Sequence, residues 1–297
     1  MALERAPGAW APGGSASPLP GVASRSPMPA AWCPDWMAGL PDALPLSHLS
    51  IPGTHDSLSL FGGRRLRCQS WGLESQLAAG IRFLDVRCKL VRGELHIYHL
   101  CTFQRASLRG VLRRTLRFLR AHPGEAVLMR IKEELPIFPQ PGFAARLHRC
   151  LLEEGRGRVW CREEVPTLGQ ARGKIVVLEA LAREVLGIPY EQLSISDSWN
   201  VLSLERKWAR ARQHLERAAG GDPTTMHLTF CSGNGLFTSR YGPGAALGQP
   251  GPGRAAGTGG ATSPPRMPLC KTVLFLSRVN KNKKKLGKHS LCCLAIS

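Results

Sequence analysis

The sequence predicts an α/β protein: a TIM-type (β/α) barrel that stops one strand short of complete. Three observations predict it. Between residues 49 and 231, short apolar runs alternate with segments of helical periodicity, which implies a mostly parallel sheet with helices packed outside it. Most of the runs end in polar or charged residues, as strands do when their C-terminal ends form one functional rim. A length of 297 residues at 43% apolar content fits a single barrel of about 250 residues with tails.

The first strand ends at residues 49–51. Pro52 and Gly53 then stop it and let the chain turn, so that His55 and Asp56 point into a cleft. Residues 73–79 have the pattern of a short helix, and residues 81–87 that of a strand ending in charge. Residues 95–99 make another strand. Leu108, Val111, Leu112, Leu116 and Leu119 recur at helical spacing among Arg113, Arg114, Arg117 and Arg120, an amphipathic helix closed by Pro123-Gly124. A strand at 126–131 runs into Lys132, Glu133 and Glu134. A helix at 143–152 and a buried strand at 174–178 follow, then a short strand at 193–195 that leads into Ser196-Asp197-Ser198-Trp199. A long basic helix at 203–219 and a strand at 226–231 end the pattern, giving seven recognisable strands.

Residues 1–31 are rich in Ala, Gly, Pro and Ser, offer little to bury, and are expected to be disordered. The barrel domain is assigned to residues 32–240. Residues 241–297 are assigned to an unrelated, low-complexity basic tail without order, standing where the last strand would be. The run 272–276 inside that tail has strand composition, but no helix precedes it and no acid follows it. The formal charge of +19 is unevenly spread: residues 1–222 hold 30 Lys and Arg against all 21 acids, and residues 223–297 hold 10 basic residues and no acid. More than half of the charge therefore belongs to the tail, and no specific nucleic-acid partner is expected. Ten cysteines show no CxxC pair or zinc spacing, which points to scattered thiols in a reducing compartment. With no signal-peptide core and no apolar run of about 18 residues, the expectation is a cytoplasmic monomer in peripheral contact with anionic membrane.

Four strand ends supply His55 with Asp56, Arg87, His99, and Lys132 with Glu134. In a barrel such ends converge on one pocket. Two histidines across a pocket can divide acid and base roles near neutral pH, and an arginine between them offers a fork of donors to an anionic phosphodiester. Each group also has a structural reading. Asp85 and Arg87, two apart on one strand face, could be a buried ion pair, and the basic helix faces could simply be solvated. His96, three residues from His99, faces the other way and reads as structural.

The segments Ser50-Ile51-Pro52-Gly53-Thr54-His55-Asp56-Ser57, Gly80 through Arg87, Leu95 through His99 and Phe118 through Glu125 resemble the X domain of phosphatidylinositol-specific phospholipase C, in its bacterial, metal-independent form. The resemblance extends more loosely through Gly173-Lys174-Ile175-Val176, Ser196-Asp197 and Leu228-Thr229-Phe230, and covers residues 35–240. It implies cleavage of phosphatidylinositol to diacylglycerol and inositol 1,2-cyclic phosphate without metal or cofactor. By position it makes His55 the general base, Arg87 the phosphate clamp, His99 the general acid and Asp56 the residue that orients His99. Lys132, Glu134, Asp197 and Trp199 would hold the inositol ring. The calcium-dependent relatives place a carboxylate where Arg87 stands, so calcium is not expected.

Three departures accompany the resemblance. Leu100 follows His99 where the family has glycine, Ala180 stands near an expected inositol-contacting arginine, and no acid follows Asp222 to supply the aspartate expected to orient the base. The sequence thus carries an enzymatic reading and two alternatives: an impaired pseudoenzyme that binds inositol lipids, and a truncated product whose tail binds polyanions. A barrel without its last strand would also expose two edges.

Overall fold

The computed structural model describes residues 33–135, 140–179, 186–200, 203–232 and 272–275. In chain order it contains β1 (Ile51–Thr54), α1 (Gly63–Leu66), α2 (Leu73–Ala78), β2 (Phe83–Val91), β3 (Glu94–His99), β4 (Thr102–Ser107), α3 (Leu108–Ala121), β5 (Val127–Glu133) and α4 (Phe143–Gly155). There follow β6 (Val159–Trp160), α5 (Leu168–Ala171), β7 (Ile175–Glu179), β8 (Ile188–Pro189), β9 (Ser194–Ser196), α6 (Leu204–Gly220), β10 (His227–Phe230) and β11 (Thr272–Phe275). The main path of the sheet runs β6-β7-β5-β2-β1-β11-β10-β9, with β8 beside β7, and its two ends are not joined among the described residues. The incomplete barrel predicted from sequence is therefore observed.

Strand alternation sorts the core. On β2, Leu84, Val86 and Cys88 face outward into the layer built by α2, α3 and α4, whereas Phe83 joins Leu128, Val176, Leu178, Leu228 and Phe230 in a second cluster inside the barrel. On β5, Val127, Met129 and Ile131 point outward in the same way. The remaining inward positions, Asp85 and Arg87 on β2 with Arg130 and Lys132 on β5, are in register across the parallel pair. The barrel floor is apolar and the levels above it are charged.

The structure differs from the sequence reading at three places. Pro52 and Gly53 lie inside β1 rather than ending it, and the turn begins at His55. The glycine serves close approach: a Cβ at Gly53 would lie 2.6 Å from Phe83 Cδ1 on the neighbouring strand. The strand at 95–99 is not a parallel barrel strand but half of an antiparallel hairpin, β3 with β4, hung on β2. Within the predicted tail, Thr272–Phe275 forms β11, antiparallel to both β1 and β10, so the two edges expected to be bare are paired. A parallel eighth strand needs a crossover connection, and the sequence before residue 272 offers no helical pattern to make one. The predicted disorder of residues 1–31, and of the tail apart from β11, falls outside the described residues.

The basic face of α3 is more than solvated charge. Arg109 and Arg113 on α3 both pair with Glu154 on α4, at 2.5 and 2.6 Å, and Arg114 pairs with Glu74 on α2. At the opposite, N-terminal end of the strands, the buried Arg82 donates to Glu125, to the Leu77 and Ile81 carbonyls and to the Pro34 carbonyl, while Glu125 accepts from Met37 and Ala38 N–H.

Between α6 and β10, His214 and His227 meet with ring centroids 5.5 Å apart, and the buried His227 has neither ring nitrogen hydrogen-bonded among the described residues. Burial, with Arg217 nearby, pushes both imidazoles below the ordinary histidine value of 6.5, and the mutual repulsion adds to this at His214. A histidine depressed in the folded state binds protons less readily than in the unfolded chain. Stability from these groups is therefore complete above the ordinary value and is lost as pH falls through it toward the folded values. We predict that the thermal unfolding midpoint falls between about pH 7.5 and about pH 5.5 and that His227→Phe flattens the fall; equal pH dependence in both proteins would contradict this.

Candidate active site

The turn after β1 is clamped to β2. Asp56 adopts a left-handed conformation, φ 45°, unusual for a side-chain-bearing residue. It is held there because its N–H donates to Asp85 Oδ2 at 3.1 Å, while Ser57 N–H donates to the Asp85 carbonyl and Asp85 N–H donates to Ser57 Oγ. Ser59, just after the turn, returns an N–H to the Asp56 carbonyl. The fold thus spends buried hydrogen bonds on presenting His55 and Asp56 side by side.

Arg87 packs against His55 and against Asp56, the carboxylate that faces both histidines. Its Nη2 is 2.8 Å from His55 Nε2, its Nε is 2.7 Å from Asp56 Oδ1, its Nη2 is 3.3 Å from Asp85 Oδ2, and its Nη1 is 3.6 Å from Glu134 Oε2. Asp56 Oδ2 faces His55 Nδ1 at 3.4 Å and His99 Nε2 at 3.5 Å. His99 Nδ1 is 2.7 Å from the Leu66 carbonyl, which also accepts from Ser59 Oγ. The two imidazoles therefore stand in opposite hydrogen-bonding environments. His55 has a permanent donor, the guanidinium, at Nε2 and a carboxylate at Nδ1, the setting of a neutral ring with its lone pair on Nε2. His99 has acceptors at both nitrogens, the setting of a ring carrying two protons.

Asp85 is fully buried and is the hub of this cluster. Burial alone would push its carboxyl up, but the charges of Arg87 and Arg130 outweigh that and hold it well below the usual aspartate range. Arg130 Nη1 reaches Asp85 Oδ1 at 3.1 Å, and the Arg130 guanidinium packs 4.1 Å from the Tyr190 ring centre. Phe230 closes the wall behind the base, its ring edge-on to His55 at 5.8 Å. His55, Asp56 and Cys68 could in principle share a metal ion. Arg87 already supplies a positive charge to the first two, which disfavours a second cation there.

Of the eight residues predicted from sequence, five form one contiguous cluster: His55, Asp56, Arg87, His99 and Glu134. Lys132 flanks it, half-buried; burial lowers its ammonium from the ordinary value, and the nearby Arg87 and Arg130 lower it further. Asp197 and Trp199 lie beyond the end of β9 and are exposed, Trp199 at 61%; no hydrogen bond or ion pair joins them to the cluster among the described residues. Leu100 adopts φ 53°, so the leucine occupies a glycine-type conformation, held by its N–H donating to Glu134 Oε1 at 2.7 Å. His96 packs edge-on to Phe103, as its structural reading required. Ala180 lies outside the described residues. Sequence reasoning treated Asp85 only as an ion-pair partner, missed Arg130 and Tyr190, and named Phe230 only as part of a strand without a role in the site. The signal for Arg130 was its two-residue offset from Lys132, the same offset that joins Asp85 to Arg87.

Asp85→Asn removes the counter-charge of a buried arginine and is expected to cost about 3–5 kcal/mol of stability. Stability contributed by Asp85 is complete above the ordinary aspartate value and is lost as pH falls toward the depressed folded value, so the variant should also have a flatter acid limb. Chemical unfolding of wild type and variant from neutral to acid pH checks both; equal stability at all pH values would contradict the hub.

Comparison with known proteins agrees with this geometry. Residues 43–180 match the family model for the phosphatidylinositol-specific phospholipase C, X domain. The chain is 37% identical over 228 residues to a 1-phosphatidylinositol phosphodiesterase of Listeria monocytogenes, covering 69% of this chain and 70% of that protein. It is 28% identical over 186 residues to the human PI-PLC X domain-containing protein 1, covering 48% of this chain and 55% of that protein. Among solved structures, the phosphatidylinositol-specific phospholipase C of Listeria monocytogenes superposes with TM-score 0.63 at 30% identity, covering 73% of this chain and 85% of that one. A variant of the Staphylococcus aureus enzyme superposes with TM-score 0.63 at 17% identity, covering 72% and 82%, a likeness of fold. The chain belongs to the phosphatidylinositol-specific phospholipase C X-domain family.

Proposed function

We propose that this chain is a phosphodiesterase that cleaves phosphatidylinositol to diacylglycerol and inositol 1,2-cyclic phosphate, with residues 32–240 as its catalytic unit. The observation that carries the reading is the contrast between the two imidazoles that share Asp56: His55 Nε2 faces a donor, the Arg87 guanidinium, and His99 Nδ1 faces an acceptor, the Leu66 carbonyl. When the anionic diester draws Arg87 onto its non-bridging oxygens, His55 Nε2 loses its donor and its lone pair becomes available to the inositol 2-hydroxyl. The hydroxyl oxygen attacks phosphorus as its proton passes to His55. The bond from phosphorus to the glycerol oxygen breaks as His99 gives that oxygen its Nε2 proton. Asp56 orients His99, Arg87 neutralises the phosphate, and Lys132 and Glu134 stand where the ring hydroxyls would lie, with Asp197 and Trp199 approaching only from the outer rim. A guanidinium supplied by the chain itself in place of a divalent cation makes the reaction independent of calcium.

The base has a carboxylate neighbour in the turn that carries it. Among the described residues, Asp56 Oδ2 is the carboxylate oxygen that faces His55 Nδ1, and it is shared with His99. One carboxylate serving two imidazoles at 3.4 and 3.5 Å is a looser arrangement than a dedicated partner, and slow turnover follows from it. The substrate resides in a lipid surface, so the enzyme acts in peripheral contact with membrane. No helix among the described residues is long and apolar enough to cross one.

The test is incubation of the protein with phosphatidylinositol vesicles and a calcium chelator, following cyclic inositol phosphate by phosphorus NMR. Wild type should accumulate the cyclic product, and His55→Ala and His99→Ala should each reduce the rate by about 10²–10⁴-fold. A signal equal in wild type and His55→Ala would refute the reading, and uptake of vesicles without any product would favour the lipid-binding pseudoenzyme.

A further inference from the structure

Arg130 takes no part in the acid-base scheme above, and no sequence motif singles it out. It lies on β5 in register with Asp85 on β2 and shares the inward face with Lys132. It is buried, its Nη1 is 3.1 Å from Asp85 Oδ1, and its guanidinium lies between the Tyr190 ring at 4.1 Å and the Phe230 ring at 5.8 Å. Phe230 is the ring whose edge meets His55. Among the described residues, Arg87 from its own strand, Arg130 from β5, and the His55 imidazole and Asp56 N–H from the turn after β1 face Asp85 directly, and Lys132 on β5 and the Tyr190 hydroxyl feel its charge from farther off.

Of the two arginines, Arg87 is the more exposed, at 17% of its side chain against 9%, and the better placed to turn toward substrate. Arg87 has solvent access and touches both His55 and Asp56, whereas Arg130 is fixed between two rings. If Arg87 alone balanced Asp85, moving it onto a phosphate would leave a buried carboxylate without a cation. That carboxylate would then hold Arg87 back or take up a proton. We propose that Arg130 is a positioning residue: the standing counter-charge of Asp85, which lets Arg87 leave that carboxylate for the phosphate. The proposal rests on the phosphodiesterase reading for its catalytic consequence, while the pairing itself can be tested without turnover.

The test compares full-length wild type, Arg130→Gln and Arg130→Lys on phosphatidylinositol across pH, with thermal unfolding as the control for folding. Arg130→Gln should raise KM and lower kcat/KM by about 10²-fold. It should also move the acid limb of the kcat/KM profile to higher pH, because Asp85 then takes a proton more readily. Arg130→Lys should return the limb toward its original position. An unchanged kcat/KM, or a loss of rate with an unmoved acid limb, would overturn the proposal. Arg130→Met, apolar against Tyr190 and Phe230, replaces the glutamine variant if that one does not fold. Carbon-13 titration of the Asp85 carboxyl gives the turnover-free readout: its midpoint should rise in the neutral variant and return in Arg130→Lys, and a common midpoint in all three would overturn the pairing. A wild type that binds phosphatidylinositol but never cleaves it would sink the phosphodiesterase reading, leaving the titration to decide Arg130.

Discussion

The Asp85 carboxylate is the constraint on which the site depends. A buried charge is costly, and it persists only where every lone pair has a donor and opposite charge is close. Here Oδ1 is given to Arg130, and Oδ2 to Arg87 and to Asp56 N–H. Those contacts tie together three neighbouring segments: the turn after β1, strand β2 and strand β5. The left-handed backbone of Asp56, the position of the base beside it and the aim of the phosphate clamp are consequences of one side chain two residues from Arg87.

The rest of the fold makes that placement possible. Strand alternation sends Leu84, Val86, Met129 and Ile131 outward against helices and leaves the inward positions for Phe83, Asp85, Arg87, Leu128, Arg130 and Lys132. The apolar pair at the bottom packs the barrel floor, and the charged pairs above it build the pocket. Gly53 lets β1 approach Phe83 closely enough for the turn to meet Asp85. The conformational cost of that turn is met by packing one layer below it.

Much of this was legible in the sequence. Short apolar runs with polar ends located β1, β2, β5, β7 and β10, because strands buried on both faces read as continuous apolar runs. The direction of pairing was not legible. Leu95 through His99 reads as a strand, but nothing local says that it folds back on Phe83–Val91, and Thr102–Ser107 is too polar to announce itself as the partner. Thr272–Phe275 is a strand only because β1 and β10 offer open edges on either side. In the site, His55, Arg87 and His99 were visible because their chemistry is distinctive. Arg130 looked like any strand arginine until register placed it opposite Asp85. Trp199 was expected against a sugar ring and stands exposed, since sequence places a residue near a rim without saying which way it turns.

The central claim is that fixed neighbours, rather than any intrinsic difference between the imidazoles, divide the acid and base roles. Nitrogen-15 NMR of the imidazoles in substrate-free protein near neutral pH tests this most directly. The account predicts His55 neutral, with its proton on Nδ1 and its lone pair on Nε2, and His99 protonated at both nitrogens. A proton on His55 Nε2, or the same protonation state in both rings, would contradict it.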